Sequence, residues 1–174
     1  MLPNIYKETF NSYFESEDFN STFTKAMSIL NSGVKRIFFI GNGGSNSICS
    51  HMYEDFAKIG RFQTYTFSDG ALITCYANDY GYDKAMAEWL KVYIQEGDLL
   101  IAISSSGNSS NILNACNEAL NAKAQTIVLS GFKNDNKLRQ MGDVSFYIPA
   151  TDYGVVECFH QVILHSLLDT YSKK

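Results

Sequence analysis

Residues 36–45 read RIFFIGNGGS, and this stretch decides the fold. After a leading arginine, the next four residues are aromatic or β-branched. A short, nearly unbroken apolar run of this kind suits a strand buried on both faces of a parallel sheet. Three glycines then interrupt the run, and a longer amphipathic segment, residues 45–59, follows with helical periodicity. Strand, glycine loop and helix in that order form the first half of a βαβ unit.

The same alternation continues outward. Residues 62–67, 98–103, 125–129 and 144–148 are further strand candidates, and the runs at 98–103 and 125–129 are again nearly continuous in apolar residues. Helix candidates are residues 3–14 and 19–32 before the first strand, then 71–76, 83–95, 108–121 and 155–171. The expected fold is α/β: a doubly wound, three-layer α/β/α arrangement around a five-stranded parallel sheet with right-handed crossovers. Ligands of such sheets sit beyond the carboxyl ends of the strands. The loops after Ile40 and Ile103 are therefore the places for a site.

Bulk properties set the remaining bounds. A chain of 174 residues with 45% hydrophobic and 18% charged residues fits one domain, residues 1–174, with a real core. The formal net charge is −4 and no Lys/Arg cluster occurs, which argues against nucleic acid as a partner. Backbone N–H groups and hydroxyls can still hold an anion, so a phosphorylated ligand remains compatible with this charge. Cys49, Cys75, Cys116 and Cys158 lie far apart, as expected of reduced thiols in the cytoplasm. Neither a leader-like start nor an apolar run of about 20 residues is visible, so no membrane partner is expected.

Two loops invite a phosphate. Gly41-Asn42-Gly43-Gly44-Ser45 lets the backbone approach a ligand and opens a helix whose first N–H groups are free. On its own it reads equally as a tight turn. Ser104-Ser105-Ser106-Gly107-Asn108-Ser109 brings four hydroxyls to a second helix start. Charge-assisted hydrogen bonds of the kind it offers contribute about 1.5–3 kcal/mol each. The alternative is a serine-rich cap without a ligand.

With GNGGS after the first strand, S-x-SGNS-x-N after the third and Asn78-Asp79-Tyr80-Gly81 between them, the chain from about Lys35 onward resembles the SIS (sugar isomerase) fold. Within that fold it resembles the phosphoheptose isomerases. The resemblance implies a flavodoxin-like strand order and an aldose–ketose isomerisation through an enediol, most simply of sedoheptulose 7-phosphate to D-glycero-D-manno-heptose 7-phosphate. That reaction feeds heptose-nucleotide synthesis for lipopolysaccharide or capsule. It implies a cytoplasmic homotetramer with active sites at subunit interfaces, to which the N-terminal helices, residues 1–33, contribute.

The resemblance also assigns residues. Asn42, Gly43, Gly44 and Ser45 with Ser104, Ser105, Ser106 and Ser109 would hold the phosphate, and Asn78 and Asp79 the sugar hydroxyls. A Zn²⁺ ion would be ligated by His51, Asp55, Glu157 and His165, with Glu157 also near substrate. Asp55 would be the base and His165 the acid. Residues 51 and 55 share one helix face, distinct from the stripe Ile48, Met52, Phe56 and Ile59. Residues 157 and 165 lie about 12 Å apart along a helix, so one ion can join them only if both reach inward. Without the resemblance His51–Asp55 reads as a surface pair; the alternative for the last helix is that Glu157 pairs with His160 and His165 is a satisfied core histidine.

The chain departs from the family pattern in four places. Asp55 stands for the usual Glu, Glu157 for Gln, Ser105 for Thr, and Ile59 for an Arg that Arg61 stands near. These departures leave two alternatives open: an isomerase for another sugar phosphate, or a non-catalytic SIS module that binds a sugar phosphate or a partner protein.

Overall fold

The computed structural model describes residues 4–173. Two helices, α1 (Asn4–Phe14) and α2 (Glu17–Leu30), precede β1 (Arg36–Gly41). Then follow α3 (Gly44–Lys58), β2 (Gln63–Thr66), α4 (Gly70–Tyr80), α5 (Tyr82–Tyr93), β3 (Leu99–Ser104), α6 (Ser110–Asn121) and β4 (Gln125–Ser130). A 3₁₀ turn at Leu138–Gln140 leads into β5 (Val144–Tyr147), and α7 (Tyr153–Ser172) closes the chain. The expected start of the first helix at Pro3 lies outside the described residues.

The five strands form one sheet in the order β2-β1-β3-β4-β5, with every neighbouring pair parallel. This is the flavodoxin-like order, and its direction switches between β1 and β3. Strand pleating explains the layers. Ile37 and Phe39 of β1 join Leu99, Ile101, Ile127 and Leu129 against α2, α3 and α7. Phe38 and Ile40 join Leu100, Ala102 and Val128 against α5 and α6. Because both faces are covered, β1, β3 and β4 read as continuous apolar runs.

Local chemistry sets the boundaries. Ser16 caps α2 by accepting from Phe19 N, and Asp69 caps α4 by accepting from Leu72 N. Asp98 lies just outside β3, not within the strand. Its carboxylate receives Arg36 Nε at 2.8 Å and the Gln95 backbone N–H at 2.8 Å, a turn role that ties β3 to β1. The Asp98 carboxylate in turn raises the Arg36 guanidinium above its ordinary range.

Three expectations need correction. α4 runs on to Tyr80, where Gly81 at φ 82° ends it, so Asn78 and Asp79 are helical. α6 begins at Ser110 because the Asn108 side chain is engaged with the Ser106 carbonyl and the Lys137 N–H. Ile59 leaves the apolar stripe of α3 and is exposed, while Ile48, Met52 and Phe56 are buried. Among the described residues no helix is long and apolar enough to cross a membrane.

Candidate active site

β1 and β3 end side by side, and each delivers its loop to the same corner of the sheet. Between the loops lies a cavity of about 130 Å³, lined by Asn42 and Ser45 from the first and by Ser104, Ser105, Ser106 and Ser109 from the second. Tyr153 and Glu157 of α7 complete the wall. Two asparagines lock the loops together. Asn42 Nδ2 donates to Asn111 Oδ1 at 3.0 Å, and Asn111 Nδ2 returns a bond to Asn42 Oδ1 at 2.8 Å. Tyr82 Oη adds a third bond to Asn42 Oδ1 at 2.8 Å.

The serine loop is held from behind. Gly107 takes φ 62°, and a Cβ there would collide with the Asn136 amide. Asn136 is buried and donates to Lys133 O at 2.7 Å, while Gly131 N donates to Ser105 O at 3.0 Å. With its backbone clamped, the loop presents hydroxyls to the cavity. The Ser105 hydroxyl is buried and has no hydrogen-bond partner among the described residues. Leaving a buried hydroxyl unpaired costs about 1–3 kcal/mol, so a ligand oxygen is the natural complement. Neither Gly43 at the start of α3 nor Ser109 at the start of α6 makes a side-chain cap bond, which leaves both helix N-termini open to an anion.

A second, more exposed cluster lies further along α3 and α7. His51 Nε2 is 3.2 Å from Asp55 Oδ2, and His165 Nδ1 is 3.9 Å from that same oxygen. The two imidazoles meet edge to face with centroids 5.2 Å apart. One donor atom from each of the three residues lies within 4.8 Å of the others. Two imidazole nitrogens and a carboxylate oxygen are donors that zinc accepts.

Glu157 is placed elsewhere. Its carboxylate packs against Gly44, where a Cβ would collide with it, and it faces the serine cavity. The eight-residue rise along α7 therefore separates Glu157, at the cavity, from His165, at the cluster. Asn78 and Asp79 sit at the exposed end of α4, bonded to each other, and do not line the cavity.

His160 does not pair with Glu157. It is fully buried, contacts Ser130 O through Nε2 at 3.2 Å, and burial pushes its pKa down to about 4. Cys49 and Cys116 are buried free thiols, and burial raises both, Cys116 to about 12. Cys75 and Cys158 are free and exposed.

Two contributors carried no sequence motif. Asn136 is buried far from either loop in the chain, and nothing in its neighbourhood marks it. Gln161 lies one turn before His165, and its amide nitrogen is 2.8 Å from His165 Nε2. A polar residue four positions from a candidate histidine, on an apolar helix, is the signal that could have found it.

Residues 15–131 match the SIS domain family. The chain is 39% identical over 144 residues to a phosphoheptose isomerase of Fusobacterium nucleatum subsp. nucleatum, covering 78% of this chain and 72% of that protein. Among solved structures it superposes on a phosphoheptose isomerase from Francisella tularensis with a TM-score of 0.79 at 30% identity, covering 96% of this chain and 98% of that one. It also superposes on the phosphoheptose isomerase GmhA from Neisseria gonorrhoeae with a TM-score of 0.83 at 25% identity, covering 97% and 96%.

Proposed function

The chain belongs to the SIS domain family and, within it, to the phosphoheptose isomerases, and from that premise we propose how its residues carry the reaction. It is an aldose–ketose isomerase acting on a sugar phosphate, sedoheptulose 7-phosphate, to give D-glycero-D-manno-heptose 7-phosphate for heptose-nucleotide synthesis. The observation that carries the site assignment is the meeting of Asp55 and His165, from distant parts of the chain, on the same pair of helices that walls the serine cavity.

The phosphate end binds first in this reading. Ser104, Ser105, Ser106 and Ser109, with the Asn42–Gly44 backbone and Ser45, receive the dianion without a lysine or arginine. The unpaired Ser105 hydroxyl and the two uncapped helix starts support this. The sugar chain runs along α3 from Ser45 and brings C1 and C2 toward Asp55 and His165. Glu157 stands between the two ends and accepts hydrogen bonds from sugar hydroxyls. Asn78 and Asp79 lie outside the cavity within one chain, so their assigned contact with sugar hydroxyls needs a second subunit.

The chemistry then needs one base and one acid. Asp55 takes a proton from C1 as His165 gives one to the C2 oxygen, which produces the enediol. Asp55 returns its proton to C2 while the imidazole recovers one from the C1 oxygen, leaving the aldehyde. The donor set of His51, Asp55 and His165 fits Zn²⁺, which when bound supplies polarisation of the carbonyl and enediolate oxygens. Glu157 completes a fourth position only if its side chain turns from the cavity toward the cluster.

We read the whole chain as one SIS domain of a cytoplasmic homotetramer. Exposed Ile5 and Phe10 on α1 and Tyr153 and Val162 on α7 support burial of these helices between subunits. The test is incubation of the purified protein with sedoheptulose 7-phosphate and zinc, following the aldose product. Conversion that Asp55→Asn abolishes is the expected result. Turnover that survives both Asp55→Asn and His165→Ala would overturn the assignment.

A further inference from the structure

Gln161 touches the cluster and has no part in the mechanism above. It is half buried on α7 and bridges to α3. Its amide nitrogen lies 2.8 Å from Met52 Sδ and 2.8 Å from His165 Nε2. A thioether sulfur accepts hydrogen bonds and never donates them, so the NH₂ side of the amide belongs toward these two atoms. One amide hydrogen points to the sulfur and the other to the ring. His165 Nε2 must then present its lone pair. The proton of the neutral imidazole resides on Nδ1, the nitrogen facing Asp55 Oδ2 at 3.9 Å.

We infer that Gln161 is a positioning residue that sets the tautomer of His165 and thereby decides whether its Nδ1 donates a proton or ligates a cation. In the observed orientation Nδ1–H is aimed at the Asp55 carboxylate, the arrangement a proton donor needs. With the amide turned over, Oε1 accepts from Nε2–H and Nδ1 carries a lone pair toward His51 and Asp55. The turn gives up the bond to Met52 and sets oxygen against sulfur. The amide therefore holds His165 as a donor until a cation competes for Nδ1. This inference rests on the reading of His165 as a site residue given above. It depends on the partner of the second ring nitrogen, the contact through which proteins orient histidines.

The experiment uses metal-free full-length protein labelled with ¹⁵N in histidine, at a pH where the ring is neutral, and reads the ring nitrogens by NMR. Expected is a His165 proton on Nδ1 in the wild type. Gln161→Glu, which keeps the shape and only accepts, moves it to Nε2; Gln161→Met, which neither donates nor accepts in its place, populates both. The signals of buried His160, unchanged across the series, report an intact fold. A wild-type His165 protonated on Nε2 overturns the inference, as does a tautomer indifferent to both substitutions with His160 unchanged. If instead the tautomers shift as expected while no ketose phosphate turns over, the isomerase assignment fails and the role of Gln161 stands.

Discussion

Asp55 Oδ2 on α3 lies 3.9 Å from Nδ1 of His165 on α7. The two helices are separated by most of the chain, and they pack directly against each other only because α3 and α7 share one face of the sheet. That packing turns two unremarkable polar residues into a candidate acid–base pair.

Asp55→Asn keeps the shape of the side chain and removes the base. It should lower kcat by about 10²–10⁴-fold with little change in KM, since the phosphate contacts lie about three helical turns away. Steady-state kinetics with sedoheptulose 7-phosphate checks this. A wild-type kcat in the variant would remove Asp55 from the mechanism.

Ser105→Ala should separate affinity from stability. In the free protein it deletes a buried hydroxyl that has no partner among the described residues, so thermal stability should hold or rise slightly. In the complex it deletes a charge-assisted bond worth about 1.5–3 kcal/mol, so KM and the inhibition constant for inorganic phosphate should rise about 10–150-fold. Unchanged phosphate inhibition would place the anion elsewhere.

Gly107→Ala forces a Cβ into the left-handed region and into the Asn136 amide. A loss of about 2 kcal/mol or more, seen as a fall of about 4–8 °C in Tm, is expected. In a double-mutant cycle with Asn136→Gly, which itself loses the buried amide bonds, the two losses should sum to less than additively because the second substitution removes the collision. Strictly additive losses would mean that the strained backbone alone carries the effect of Gly107→Ala.

His160 predicts an acid-sensitive core. Its folded pKa is lowered from 6.5 to about 4, so between these values the unfolded chain binds a proton that the folded chain refuses. Stability therefore rises with pH across this window. It is fully present above pH 6.5 and is lost by up to about 3 kcal/mol on acidification to pH 4. Urea unfolding at pH 7, 5.5 and 4.5 should show a shallower fall for His160→Gln than for the wild type. Parallel curves would deny His160 this role.

The cluster of His51, Asp55 and His165 should retain about one divalent ion per chain on purification from zinc-containing medium. Dialysis against a chelator should remove the ion and depress activity, with recovery on adding zinc. Elemental analysis should show His51→Ala already depleted. Full activity in rigorously metal-free protein would exclude the ion from catalysis.

Much of this protein was legible in its residues. The apolar runs of β1, β3 and β4 are buried on both faces, and that environment admits little besides aliphatic and aromatic side chains. The positions of the two loops were legible as well, since each follows a buried strand and precedes a helix. Helix ends were less so. α4 continued past its apolar periodicity because Gly81, not hydrophobicity, ends it.

By themselves the residues determined the layer order of the α/β sheet, the positions of the glycine-rich and serine-rich loops and the shared face of His51 and Asp55, because each follows from local periodicity and turn chemistry. Only the tertiary structure decided that Glu157 turns to the serine cavity while His165 joins Asp55, that Asn111 locks Asn42, and that Gln161 holds the far side of the His165 ring. Those outcomes depend on the rotation of α7 against α3 and on the close approach that Gly44 allows. Such relations arise between elements distant in the chain, and no local pattern encodes them.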